Sequence, residues 1–483
     1  MNPYFSILIV LIYLGLILWV SYFSSRKSGT ADFYRGGNKS PWWVVAFGMI
    51  GTTLSGVTFI SVPGWVSSPA KMTYFTVILG NFVGYLLIAQ VLLPLYYRLN
   101  LTSIYAYIGE RFGFRAYKTS AALFLLSKTI GASFRLFIVT LVLQITIFSP
   151  LNIPYAVNAL FCVAVIWAYT FKGGIKAIVW TDLVQTFFLI FAVVFTIFSI
   201  QKALDFSFPE MVKRIGENPQ FLVFDFGNLW SNPNHFLKQF IAGIFIAIVM
   251  TGLDQDMMQK NLSLKNIREA KKNFLTFSVI SIPVCFIFMC LGVVFFIYMN
   301  QTGIPIPAKT DSIYPMIATQ YLNTTTGIFF MLGVIAAAFS SANSALIAMT
   351  TSFTVDLYGV QNKTEDEKKK IRFYTHIGCA LLLALVMIAF SSFNNESVVY
   401  AIFKFAGYTY GPLLGLFFVG ILLKTKVRDK AIPFIAASSI ALTISIDHYS
   451  VVLLNGYQFG FEILLFNGAL TVMGLLLFRE NKN

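Results

Sequence analysis

Apolar residues recur along the whole chain in runs of about 20, the length an α-helix needs to cross the hydrocarbon core of a bilayer. Short stretches that gather most of the charge separate them. Thirteen helices are predicted: 4–23, 41–66, 72–94, 118–149, 153–171, 175–199, 237–258, 274–299, 324–357, 373–392, 398–422, 431–453 and 459–478. The chain therefore reads as an all-α polytopic membrane protein whose first partner is the lipid bilayer. Its first run lacks a basic flank before it and a small-residue cleavage site after it, so it reads as a retained helix and not as a signal peptide.

Composition agrees with this reading: 57% of the 483 residues are apolar and 11% charged, against about 25% charged in a soluble domain. The net charge of +15 would suggest nucleic acid in a soluble protein, but its placement gives another cause. Of the 35 Lys and Arg residues, 26 fall in alternate connections, among them Arg26, Arg35, Arg111, Lys172, Lys260, Lys265 and Lys368 to Lys370. Six, including Lys202, Lys238 and Lys309, fall in the others, and Lys128, Arg135 and Lys404 lie inside spans. This is positive-inside bias. With an odd number of spans it puts the N-terminus outside and the C-terminus in the cytoplasm, in a plasma (inner) membrane, and no nucleic-acid partner is needed.

Cys162, Cys285, Cys290 and Cys379 sit in apolar runs without ligand spacing, so neither a disulfide framework nor a metal cluster is indicated. His235, His376 and His448 lie in separate regions, and no catalytic constellation is visible. The chain is not expected to be an enzyme or to need a cofactor. No large soluble domain interrupts it; the longest external segment is 200–236.

The second span carries Gly51-Thr52-Thr53-Leu54-Ser55-Gly56 in its middle. Two glycines weaken the helix there, and hydroxyls can bond the backbone groups that unwinding frees. Such backbone persists at membrane depth only where protein or an aqueous cavity surrounds it, and its carbonyls make ligands for a small cation. Close helix packing through small residues is the alternative. Five spans later Met250-Thr251-Gly252-Leu253-Asp254-Gln255-Asp256 repeats the interruption. Spans two to six and seven to eleven would then be two five-helix halves, inverted because each holds an odd number of helices, although no primary-sequence repeat relates them. In the ninth span, Ser340, Ser341 and Ser344 lie within about a turn and a quarter, offering hydroxyls suited to a monovalent cation, whereas Ca²⁺ would call for several carboxylates.

These segments resemble the sodium:solute symporter family. The resemblance is carried by Asp32-Phe33-Tyr34-Arg35-Gly36-Gly37, by Gly51 to Ser55, and by Gly173-Gly174 with Val179-Trp180-Thr181-Asp182 and Gln185. Gln255-Asp256 with Gln259-Lys260, and Ala337 to Ser341, complete it, in order over roughly 30–425. It implies a LeuT-type fold with a leading helix in 1–30, a first inverted repeat in 31–200, an external loop at 201–236, a second repeat in 237–425 and two further helices in 426–483. It also implies a sodium site from the carbonyls of Gly51, Leu54 and Ala337 and the hydroxyls of Ser340 and Ser341. A second sodium site, present in some members, would map to Asp182, Ser340, Asn343 and Ser344, with Asn343 where the family pattern has serine.

Asp182 stands about 10 Å deep in its span at 1.5 Å per residue, where a carboxylate calls for a cavity or a cation. Two explanations stand side by side: a sodium ligand, or an ion pair with Lys128. Lys128 and Arg135, seven apart, share a helix face. An intramembrane guanidinium suits a substrate carboxylate, as the family's sialic acid member uses an arginine on this helix, while snorkelling or pairing with Asp182 is the structural alternative. Family positions add Ser55, Thr58, Tyr74, Ile78 and Asn81 to the pocket; Ile78 departs from the polar residue of sugar-type members. Asp447 and His448 fall outside the ten-helix core. The expectation is a sodium-coupled symporter, working as a monomer, for a small organic solute, with an organic anion such as a carboxylate or acidic sugar preferred. A neutral sugar or amino acid is the alternative substrate. A membrane solute sensor is the competing class, which the lack of an appended signalling domain disfavours.

Overall fold

In a computed structural model, residues 3–25, 40–101, 103–171, 174–393, 398–423 and 425–480 are described. The motif Asp32–Gly37, Gly173, Lys172, Lys424 and the connection holding Arg26 lie outside them. Among the described residues, nine helices are long and apolar enough to cross a membrane, two bent helix pairs each make one more span, and Tyr155–Thr170 and Ile463–Leu477 are shorter apolar helices. Together they correspond one to one with the thirteen runs. Each run forms a helix because hydrocarbon cannot hydrogen-bond the backbone, so every amide must find its partner within the segment.

Burial sorts the spans. The ninth, Thr324–Tyr358, has 94% of its apolar window buried, against 33% for the first and 28% for the twelfth. Its small-residue stretch Ala336 to Ala338 and Ser340 to Ser344 is buried throughout. That composition lets the sixth span, Gly174–Ala203, and the fourth, Phe114–Leu143, approach closely. Outward faces carry exposed Phe187, Leu385 and Val452, as a lipid-facing surface requires.

The second span is two helices, Trp42–Thr53 and Gly56–Val66, bent by 52°. The seventh is Phe236–Gly252 and Gln255–Leu262, bent by 62°. They lie five spans apart, each opening a set of five. Two basic residues assigned to connections by sequence are instead internal. Lys260 is 1% exposed on the second helix of the seventh span. Lys238 is buried at that span's start, 3.7 Å from Glu462. Both lie beside polar stretches that read as loop, and the fold brings a carboxylate to each.

The third and seventh spans meet through glycines. A Cβ added to Gly80 would stand 2.2 Å from the Phe240 carbonyl oxygen, and one on Gly243 would stand 2.3 Å from that of Val77. Backbone on both sides leaves nothing to rotate away. Gly80→Ala should therefore force the axes apart and destabilise the protein by about 1–3 kcal/mol, the usual range for overpacking. A lowered thermal midpoint in detergent checks this; an unchanged midpoint would mean the crossing is looser than the structure shows.

Candidate functional site

At the first break the helical ladder ends with the Leu54 N–H on the Ile50 carbonyl, 2.8 Å, and resumes with the Phe59 N–H on the Ser55 carbonyl, 3.0 Å. The carbonyls of Gly51 and Leu54 fall in the interval between. Leu54 (φ −79°, ψ 62°) leaves the helix and Ser55 (φ −64°, ψ 175°) is extended. Glycine at 51 leaves room for Thr186, whose hydroxyl as placed would lie 2.1 Å from an added Cβ. Gly56 packs beside Ala338 of the ninth span and the Arg135 carbonyl of the fourth.

The second break is built differently. There the freed carbonyls have tyrosine partners: Tyr96 donates to the Gly252 carbonyl at 2.9 Å and Tyr105 to that of Leu253 at 3.0 Å. The Asp254 carboxylate caps the following helix by accepting the Asp256 N–H at 2.9 Å, and it takes the Tyr410 hydroxyl at 2.7 Å. Lys128 bridges the two acids, 3.1 Å from Asp254 and 2.7 Å from Asp256.

Asp182 does not pair with Lys128. Its partner is Lys260, 2.6 Å from Oδ2 and equally buried. Ser340 donates to Oδ1 at 2.8 Å and Thr52 to Oδ2 at 3.1 Å, which draws the second, sixth, seventh and ninth spans onto one carboxylate. Ser341 donates to the Ala337 carbonyl at 3.0 Å. The residues expected around one sodium, Gly51, Leu54, Ala337, Ser340 and Ser341, thus lie on segments packed together, with Thr52 and Ser340 hydroxyls 3.3 Å apart. Of the other set, Asn343 accepts the Ser344 N–H at 2.5 Å, and the Ser344 hydroxyl has no hydrogen-bond partner among the described residues.

All the expected substrate residues, Ser55, Thr58, Tyr74, Asn81, Lys128 and Arg135, line a single cavity of about 100 Å³, together with Ile78. Thr251, Asp256, Ser278, Ser281 and Phe403 also line it and were not anticipated. Asp256 shows why: its pairing with Lys128 is set by the bend of the seventh span, although its presence in an otherwise apolar run was a visible signal. Lys128 lines the cavity with both acids beside it. Arg135 is half-buried, and among the described residues no carboxylate is paired with it. Lys404 and Asp447, 3.2 Å apart, form a separate pair to which Tyr408 also donates.

Two broken helices opening five-helix sets around a central cavity define a secondary transporter of the LeuT type. In solved structures the chain is similar to a substrate-bound, outward-open Na⁺-coupled sialic acid symporter, with a TM-score of 0.83 at 22% identity over 98% of this chain and 97% of that one. It is also similar to Mhp1, a nucleobase-cation-symport-1 family transporter, with a TM-score of 0.57 at 14% identity over 92% and 93%. The model of the sodium:solute symporter family matches residues 33–431, and the chain belongs to that family. It is a sodium-coupled solute symporter and not an enzyme. Among relatives, the sodium/sialic acid symporter NanT of Aliivibrio fischeri is 28% identical over 88% of this chain and 84% of its own length. The sodium/sialic acid symporter SiaT of Proteus mirabilis is 26% identical over 89% and 87%, and the sodium/glucose cotransporter of Vibrio parahaemolyticus 24% over 90% and 84%.

Removing one member of a buried ion pair strands the other charge, typically at 3–5 kcal/mol. Lys128→Met is thus expected to lower stability by about that amount. Lys128→Met combined with Asp254→Asn and Asp256→Asn should recover much of it. Thermal unfolding in detergent compares the two; equal midpoints for wild type and Lys128→Met would contradict a structural role for this lysine.

Proposed function

We propose that the protein imports a small organic acid, a carboxylate or acidic sugar, together with Na⁺ across the plasma membrane by alternating access, as a monomer with its N-terminus outside. The observation that carries the anion reading is Arg135: a guanidinium lining the central cavity with no carboxylate paired to it among the described residues. An intramembrane arginine is costly by a few kcal/mol on insertion scales, and a substrate carboxylate would supply its missing counter-charge through bidentate hydrogen bonds. The relatives named for sialic acid support the same class. Asp256 refines it. It lines the cavity, and its Oδ1 has no hydrogen-bond partner among the described residues, which favours a substrate bearing hydroxyl or N–H donors beside its acid group.

In this reading sodium binds at the first break, to the carbonyls of Gly51, Leu54 and Ala337 and the hydroxyls of Ser340 and Ser341. Support comes from the contrast between the two breaks. The carbonyls at the second are closed by tyrosines, while those of Gly51 and Leu54 stand in the gap of the ladder. Ions held there tie the second span to the ninth and shape the adjoining cavity through Ser55 and Thr58. The halves 31–200 and 237–425 would move against each other around this point.

A thermal-shift screen of purified protein against acids, sugars and amino acids, with and without Na⁺, identifies the ligand class. Acids are expected to stabilise the protein, and more strongly with Na⁺. Arg135→Gln should then cost one to two orders of magnitude in affinity for the acid, from charge-assisted bonds of about 1.5–3 kcal/mol, and remove the preference for acid over amide. A neutral hexose as best ligand, or intact affinity in Arg135→Gln, refutes the anion reading.

For the ion, Ser341→Ala is the cleaner variant because Ser340 also bonds Asp182. It should raise the Na⁺ concentration for half-maximal uptake by about tenfold, equivalent to roughly 1.4 kcal/mol. Unaltered sodium dependence would remove Ser341 from the site.

A further inference from the structure

The Asp182 carboxylate is 0% exposed and the Lys260 side chain 1%. Their separation of 2.6 Å puts a fixed ammonium where the residues Asp182, Ser340, Asn343 and Ser344 would otherwise surround a second sodium. The same ammonium donates to the Thr52 hydroxyl. Lys260 has little freedom to leave, because its helix is held at both ends. Asp254 caps the start, and near the end Tyr97 donates to the Asn261 carbonyl at 2.8 Å while Asn273 donates to the Asn261 side-chain oxygen at 2.7 Å.

We propose that Lys260 is a tethered cation that takes the place of a second sodium, so that this symporter couples through the single sodium at the first break. The inference rests on the sodium site proposed above and concerns its stoichiometry.

Charge is the first argument. A buried carboxylate in low dielectric needs a counter-charge, and Asp182 carries one negative charge. An ammonium at hydrogen-bond distance satisfies it. Adding Na⁺ against the same oxygens would place two unit positive charges a few ångströms apart, where repulsion is weakly screened. Ligand geometry is the second argument. Sodium needs converging lone pairs, and one of those at Asp182 Oδ1 is taken by the Ser340 hydroxyl, which keeps its own lone pairs for the site at the first break. The Asn343 side-chain oxygen is engaged by the backbone N–H of Ser344 on its own helix. An ammonium, a donor with no lone pair, fits the remaining acceptors, Asp182 Oδ2 and Thr52. Lysine at 260 therefore sets how many ions accompany each substrate, and hence how steep a gradient the transporter can build.

The test is equilibrium binding of radioactive ²²Na⁺ alone to the purified full chain, counted per protein. Wild type is expected to bind one Na⁺ with a Hill coefficient near one. Lys260→Met, which keeps the stem and removes the charge, should bind two, with the coefficient rising above one. Lys260→Met/Asp182→Asn, which removes both charges, should return to one. Two ions on wild type would overturn the inference without any variant, and so would a folded Lys260→Met that still binds one. If Lys260→Met does not fold, the wild-type count and the double variant carry the decision: a double variant binding two overturns the inference. Failure of the underlying site looks different, because wild type would then bind no saturable Na⁺, and both readings would fall together.

Discussion

Backbone carbonyls released inside a membrane must be given partners, and this requirement organises the centre of the molecule. Two spans are broken at membrane depth, and the protein meets the requirement by different means at each. At the second break, tyrosine hydroxyls from the 96–105 region reach the carbonyls of Gly252 and Leu253. Asp254, Asp256 and Lys128 then fix the direction in which the chain leaves. At the first break, small residues bring the ninth span close enough for Thr52 and Ser340 to touch, and the carbonyls of Gly51 and Leu54 lie in the gap of the ladder. One break is tied by tyrosine hydroxyls, and the other leaves backbone oxygens in the gap of its ladder.

Charge follows the same division. Each buried carboxylate near the centre has a lysine within salt-bridge distance: Asp182 has Lys260, and Asp254 and Asp256 share Lys128. A lone buried charge would be far more expensive than any pair. Arg135 differs: it lines the cavity, and among the described residues no carboxylate is paired with it.

The glycines have a comparable role in packing. Gly80 and Gly243 let the third and seventh spans approach backbone to backbone, and Gly51 makes room for Thr186. Without a hydrophobic force between helices in lipid, such close approach is a main source of association. The wall of the cavity formed by the third span, including Tyr74, Ile78 and Asn81, depends on that crossing.

Much of this was legible from the chain itself. The thirteen spans follow from apolar run length because the bilayer fixes helix length, and the breaks follow from glycines with hydroxyls where lipid would favour neither. The family motifs and the depth of Asp182 pointed to the centre of the bundle. The partners of the charges could not be read in this way. Lys260 follows Gln255, Asp256 and Gln259, a polar stretch that hydropathy assigns to a connection, and only a bend of 62° returns it to the interior. Lys128 and Asp182 stand at similar depths on their spans, which made them plausible partners, yet the same bend sets Asp254 and Asp256 against Lys128 and leaves Asp182 to Lys260. Hydrophobic length is a one-dimensional property that the sequence determines alone. The pairing of buried charges depends on distances between spans, and those exist only once the helices have packed.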